Sequence, residues 1–223
     1  AATFAGTINL NNNGSPEIGG AGDLTLGGVI SNGAFIKTGA GTLTLAGGNT
    51  YAGDTGLQEG ALLVNGVHTG GGLILVSAAA TLGGGGQVGN VDFWEPGTLA
   101  RGEAARGDNW LQVGDLNLGV ADSPLNFELG NPDNGAPSLA ENDLVLAANI
   151  PFLSGVLNVT PLPGFAAAPA GSKWRLFQNA AGGTPGDHEI TLGPGVATGY
   201  AIQAYMGDNS VYLVAVPEAA TSG

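Results

Sequence analysis

The stretch of this chain best supplied with side chains that could do chemistry runs from Asp92 to Trp110. It holds Trp94, Glu95, Arg101, Glu103, Arg106 and Asp108, with two of the chain's three tryptophans and two of its three arginines. Trp94 and Trp110 lie 16 residues apart, close to a 17-residue spacing that recurs nearby, so they are expected on nearly the same side of adjacent turns of a repeating structure. Aromatic rings flanked by carboxylates and guanidinium groups can stack on and hydrogen-bond a sugar. They can also anchor a protein contact, where Trp and Arg are enriched. A third reading is a local apolar patch edged by surface ion pairs that contribute little.

Catalysis asks for more. A glycosidase needs two carboxylates flanking the scissile bond, and Glu95 and Glu103 are the candidates here. Proton abstraction by a basic residue has only Lys37, Arg101 and Arg106 to draw on in the first half of the chain. Lys37 sits within a repeat motif and is expected to face solvent in a structural role. His68 and His188 stand far apart, each without a neighbouring histidine, which gives neither a metal site nor a triad. The glycine run at 83–89 lacks the Lys-Ser/Thr and helix of a phosphate loop. Asp133-Asn134 and Asp208-Asn209 could hold calcium weakly in turns, without calcium-repeat spacing. The expectation is no enzyme and no cofactor, calcium being the one weak alternative.

The elements that carry these residues announce themselves by repetition. Gly22-Asp23-Leu24, Gly41-Thr42-Leu43, Gly60-Ala61-Leu62, Ala80-Thr81-Leu82, Gly97-Thr98-Leu99 and Gly114-Asp115-Leu116 recur at steps of 19, 19, 20, 17 and 17 residues. This period is too long for one strand and too short for a helical hairpin. It fits one coil of a β-solenoid, in which short strands and tight turns return the chain above its start. Before the repeats, residues 3–10 alternate, with Phe4, Ile8 and Leu10 on one face and Thr3, Thr7 and Asn9 on the other, as in a half-buried strand. After about residue 120 the period loosens, and prolines at 132, 137, 151, 161, 163 and 169 argue against regular coiling there. Antiparallel or irregular strands are expected over 125–129, 144–147, 155–160, 173–178, 188–192, 199–205 and 210–216.

Composition narrows the partners. Forty-two glycines without a Gly-X-Y period, set between runs of Leu, Val, Ile and Thr, indicate an ordered, turn-rich β protein. Five basic residues against 18 acidic ones give a net charge of −13, which argues against nucleic acid and anionic lipid. No apolar run is long enough for a membrane-spanning helix. The chain has no cysteine, which excludes a disulfide scaffold and is compatible with export.

Residues 26–66 closely resemble the autotransporter-associated β-strand repeat, or passenger-associated transport repeat. The resemblance rests on Lys37-Thr38-Gly39-Ala40-Gly41-Thr42-Leu43-Thr44-Leu45, Asn49-Thr50-Tyr51-Ala52-Gly53 and Gly60-Ala61-Leu62. From Ala80-Thr81-Leu82 onward to Pro217-Glu218, the chain looks more loosely like secreted proteins that carry such repeats and a PEP-CTERM sorting signal. Ala219 follows Glu218 where the signal would have its second proline. The resemblance implies a right-handed parallel β-helix on an exported or surface protein of a Gram-negative-type bacterium. It also implies that both ends of this chain are processed.

The expected fold is all-β: a right-handed parallel β-helix of about six coils, followed by a less regular, partly antiparallel C-terminal region. Its expected segments are an N-terminal strand and linker (1–20), repeats (21–120), a C-terminal β region or cap (121–216) and a signal stub (217–223). Open solenoid ends must be capped, covered or paired. The strand bearing Phe4, Ile8 and Leu10 is therefore the candidate joint to a second copy of the chain. The expected function is a non-enzymatic extracellular structural protein that self-assembles head-to-tail. The alternative is a monomeric adhesin or glycan-binding module contacting its ligand through Trp94, Glu95, Arg101, Arg106 and Trp110.

Overall fold

The structure, a computed structural model, describes residues 1–12, 14–100, 110–133, 142–180, 187–196, 199–205 and 209–217. These residues form strands and turns with no helix. The short strands β1 (Ala2–Phe4), β2 (Ile8–Asn9), β3 (Glu17–Gly19), β4 (Leu24–Leu26), β5 (Ile30–Ser31), β6 (Phe35–Thr38) and β7 (Thr42–Leu45) come first. β8 (Thr55–Val64) and β9 (Ile74–Gly83) are longer, each with exposed residues at its middle. Then follow β10 (Val91–Phe93), β11 (Thr98–Ala100), β12 (Trp110–Leu118), β13 (Pro124–Leu129) and β14 (Leu144–Pro161). The chain ends with β15 (Lys173–Asn179), β16 (Asp187–Leu192), β17 (Tyr200–Tyr205) and β18 (Ser210–Ala215). Sixteen strands make one mostly parallel sheet, and β2 and β5 pair separately.

Leucine sets the register. Leu24 pairs with Leu43, Leu43 with Leu62, Leu62 with Leu82 and Leu82 with Leu99. The same column continues through Leu125 and Leu157 to Leu192, always in parallel. Five of the six sequence triplets thus stack as expected. The sixth does not: Leu116 pairs with Val91, in a column that descends through Ile74 and Thr55 to Phe35. The pass that follows Leu99 is longer, with Leu125 rather than Leu116 in register, so the 17-residue spacing there is a coincidence of sequence. Alternate strand residues point inward, and side chains at equivalent positions lie roughly 4.8 Å apart along the stack. The core is therefore a set of apolar columns: Leu43, Leu57, Leu62, Val76 and Leu82 are each 1% exposed or less.

The glycines make the corners possible. A Cβ on Gly28 would stand 2.1 Å from the Gly6 carbonyl oxygen, one on Gly47 2.3 Å from that of Gly28, and one on Gly66 2.1 Å from that of Gly47. Gly86 repeats the relation with Gly66, at 2.1 Å. Successive corners press backbone directly on backbone, leaving no room for any side chain.

The N-terminal segment differs from the single strand expected over residues 3–10. Gly6 lies at a corner, and the chain breaks there into β1, paired with β4, and β2, paired with β5. Phe4 is exposed, Ile8 is half-buried and Leu10 is buried, so the three do not share one face. The segment is the first pass of the stack rather than a strand tied on by a loop.

Parallel pairing also extends further than the prolines suggested. β14 pairs in parallel with β12 and β13 on one edge and with β15 and β16 on the other. Pro124 and Pro161 sit at strand ends, and Pro151 lies in a bulge where Ile150 and Pro151 together face Leu116. These are places where a strand tolerates a missing N–H. Among the described residues, antiparallel pairing, expected for this region, is confined to β15–β18 and β18–β17. There the third tryptophan, Trp174, is fully buried, with Nε1 donating to the Gly130 carbonyl at 2.9 Å. Its ring packs against Phe165 and Tyr200, at centroid distances of 4.8 and 5.9 Å.

Candidate functional site

Lys37, Asn49 and Tyr51 of the repeat motif point inward, while Thr38, Thr42, Thr44 and Thr50 do not. Lys37, expected in solvent, is 1% exposed. It takes the inward position of β6, in a column between Ile18 and Leu57. Its Nζ donates to the carbonyls of Thr38, Gly39 and Glu59 at 3.0, 2.7 and 2.9 Å, which uses all three ammonium protons. Alternation alone dictates this placement, since Phe35 and Lys37 are two residues apart on one face. Burial pushes the ammonium below its ordinary pKa, with the Glu59 charge acting the other way.

Asn49, Tyr51 and His68 form a second inward cluster that sequence reasoning passed over. Asn49 Oδ1 accepts from the Ile30 N–H at 2.9 Å, holding the level beneath it. Tyr51 and His68 stack with centroids 4.1 Å apart, and the Tyr51 hydroxyl lies 2.8 Å from Thr55 Oγ1. His68 Nε2 donates to the Tyr51 carbonyl at 2.9 Å, since that oxygen can only accept. Burial raises the Tyr51 phenol to about 12, against the Thr55 hydrogen bond. Burial also lowers His68, opposed by the Tyr51 carbonyl. The available signal was alternation, since Asn49 and Tyr51 lie two residues apart on one face with Thr50 exposed between them.

The aromatic patch is dispersed by the register. Trp94, at the end of β10, is 60% exposed. Glu95 Oε2 accepts from the Ala78 N–H at 3.1 Å, so this carboxylate pins a corner of the preceding level. Gln87 pairs with Gln112 and Val91 with Leu116, an offset of 25 residues instead of 16. In that register Trp110 stands above position 85 and Trp94 below position 119, which separates them by nine positions along the pass. Trp110 is half-buried and pairs with Leu144. The expectation that the two indoles share one side is therefore corrected. Arg101, Glu103, Arg106 and Asp108 lie outside the described residues, as do His188's side chain and residues 218–223 of the expected signal stub. Among the described residues, no group of three His, Cys, Asp or Glu side chains is placed to hold a metal ion.

The two ends of the stack are unlike. β1, β2 and β3 each pair on one side only, with β4, β5 and β6. The Ala2 N–H bonds inward to Asp23 O at 2.8 Å, and Phe4 O accepts from Gly27 N at 2.9 Å. The alternating direction of strand backbone then turns the N–H and C=O of Thr3 outward. Ile8 and Leu10 bond inward in the same way, to Val29 O and Ser31 O, leaving Asn9 to face out. At the other end β15 is covered by β18, while β16 pairs with β14 alone among the described residues.

These features define a stacked, mostly parallel β repeat protein in which Lys37 and Asn49 of the motif bond the backbone. Residues 35–64 match the passenger-associated-transport-repeat family, so the chain carries a repeat of that kind. The match spans β6 to β8, the segment containing Lys37, Asn49 and Tyr51. It gives no support to the resemblance of the C-terminal segment to a sorting signal. Comparison of the chain with curated proteins finds no match.

Proposed function

We propose that this is a non-enzymatic, secreted or surface structural protein of a bacterium. In this reading the parallel ladder winds as a right-handed β-helix and assembles head-to-tail. The family of the repeat supports export. The observation that carries assembly is the unpaired parallel edge of β1–β3, which presents the outward N–H and C=O groups of Thr3 and Asn9. Such an edge is a template for a further strand. Pairing it with the opposite end of a second copy is a heterologous contact, and one that does not close produces a filament.

The test is negative-stain electron microscopy of the protein, of a form lacking residues 1–12, and of Thr3→Pro. Proline at position 3 removes an outward N–H while leaving the inward bonds of Ala2 and Phe4, as edge strands allow. Filaments in the intact protein that are lost in both variants, with Thr3→Pro unfolding at the same temperature, are the expected result. Isolated rods in all three samples would sink the reading. The monomeric adhesin remains the second reading, favoured by the exposure of Trp94, and a change in tryptophan fluorescence on adding glycans would test it.

A further inference from the structure

A groove runs along one corner of the stack. It has a volume of about 510 Å³ and is lined from five successive passes, around residues 68–71, 87–89, 112–114, 146–148 and 180. Four intervals of roughly 4.8 Å make it about 19 Å long. Its floor is small and flat, with Gly71, Gly89, Gly114 and Ala148, and none of its lining residues is charged.

Polar groups converge on this floor. Gln87 and Gln112 occupy equivalent positions on adjacent levels, and their side-chain amides make no hydrogen bond among the described residues. Thr69, whose hydroxyl donates to Asn49 O at 3.4 Å, lines the same groove. His68 borders the groove, with its ring turned inward onto Tyr51.

We propose that this groove binds an uncharged linear polysaccharide lying along the stack, about one ring per level. The primary amides of Gln87 and Gln112 both donate and accept, as sugar hydroxyls do. Glycine and alanine let the flat faces of pyranose rings approach the floor. A peptide strand is disfavoured because the backbone here is already paired: His68 N bonds Gln87 O, Val88 N bonds Gln112 O and Gln112 N bonds Gly86 O. A polyanion is disfavoured by the net charge of −13. The site goes beyond the assembly reading and involves none of the residues of the β1–β3 edge.

The experiment is affinity electrophoresis followed by calorimetry of the full chain with hydroxyethylcellulose, laminarin, dextran and polygalacturonate. Binding to at least one of the three uncharged polymers, and none to polygalacturonate, is expected. Gln87→Ala combined with Gln112→Ala, and separately Ala148→Trp to fill the groove, should each weaken binding by roughly tenfold or more. Both variants should keep the parent's unfolding midpoint, and Trp94→Ala should bind as the parent does. The proposal is overturned if the folded protein binds no uncharged polymer or prefers polygalacturonate. It is equally overturned if binding survives Ala148→Trp, or is lost with Trp94→Ala while the groove variants bind normally. Because Thr3→Pro leaves the groove intact, failure here and failure of assembly are separable.

Discussion

Two adjacent glycines in the repeat should respond oppositely to the same substitution. A methyl group on Gly47 would sit 2.3 Å from the Gly28 carbonyl oxygen and 2.8 Å from that of Gly27. On Gly48 it would meet nothing within 4 Å, and that residue is exposed without a positive φ. Gly47→Ala must therefore push neighbouring levels apart at a corner by about 1 Å, a strain that a close-packed interior does not absorb. Their separation stretches the Ala46 N–H bond to Leu26 O and the Ile30 N–H bond to Asn49 Oδ1, each now 2.9 Å. Two bonds left unmade at about 1–3 kcal/mol each give a loss of about 2–6 kcal/mol. Gly48→Ala should be neutral or stabilise by about 0.4–1 kcal/mol, because it narrows the unfolded ensemble. Urea unfolding followed by far-ultraviolet circular dichroism reads the difference as a midpoint lower by about 1–2 M for Gly47→Ala alone. If the two variants fall within about 0.5 kcal/mol of each other, close backbone stacking is not why glycine is present.

Lys37→Met should cost about 2–4 kcal/mol, since the stem's packing is kept but three carbonyls lose their donor; a variant as stable as the parent in urea would contradict this. For Tyr51, raised to about 12 in the fold from 10.0, the unfolded phenol ionises first. Stability should therefore fall between pH 10 and 12, by up to about 2.7 kcal/mol from this group, and Tyr51→Phe should flatten that limb of the urea midpoint against pH. His68 is held below its ordinary 6.5, so the unfolded chain takes up that proton first. Its contribution should be complete above pH 6.5 and decline on acidification below it, a decline that His68→Phe removes.

The leucine column was legible because one residue type recurs at nearly constant spacing where every level must present the same face. The same reasoning erred at Leu116, where a triplet of the right composition lies on a different column. Composition carries the period but not the register once one pass lengthens. Trp94 and Trp110 were misplaced for the same reason, by assuming a step of 17 where the pairing of Val91 with Leu116 shows 25. Lys37 was misjudged on its charge, although its two-residue spacing from Phe35 already placed it inward. The groove had no sequence signal, because Thr69, Gln87, Gln112 and Ala148 are drawn together only by the register.

Buried polar side chains recur wherever the ladder must turn, and they suggest why passes of unequal length can stack. Past residue 120, Asn142 Oδ1 accepts from Gly130 N at 2.7 Å, while its amide donates to Asn131 O and Asp133 Oδ1 at 2.7 and 2.9 Å. Asp133 Oδ2 in turn accepts from Arg175 N at 2.7 Å, and Asp143 Oδ2 from Glu128 N. These carboxylates and amides do for the long passes what Lys37 and Asn49 do for the regular ones. Each supplies a backbone group with the partner that a neighbouring strand would otherwise provide, as buried backbone requires. Corner chemistry can therefore vary from pass to pass while the leucine column stays in register. Lys37, Asn49 and Asn142 are committed to the backbone, and the stack presents outward the open edge of β1–β3, the exposed indole of Trp94 and a groove over five passes.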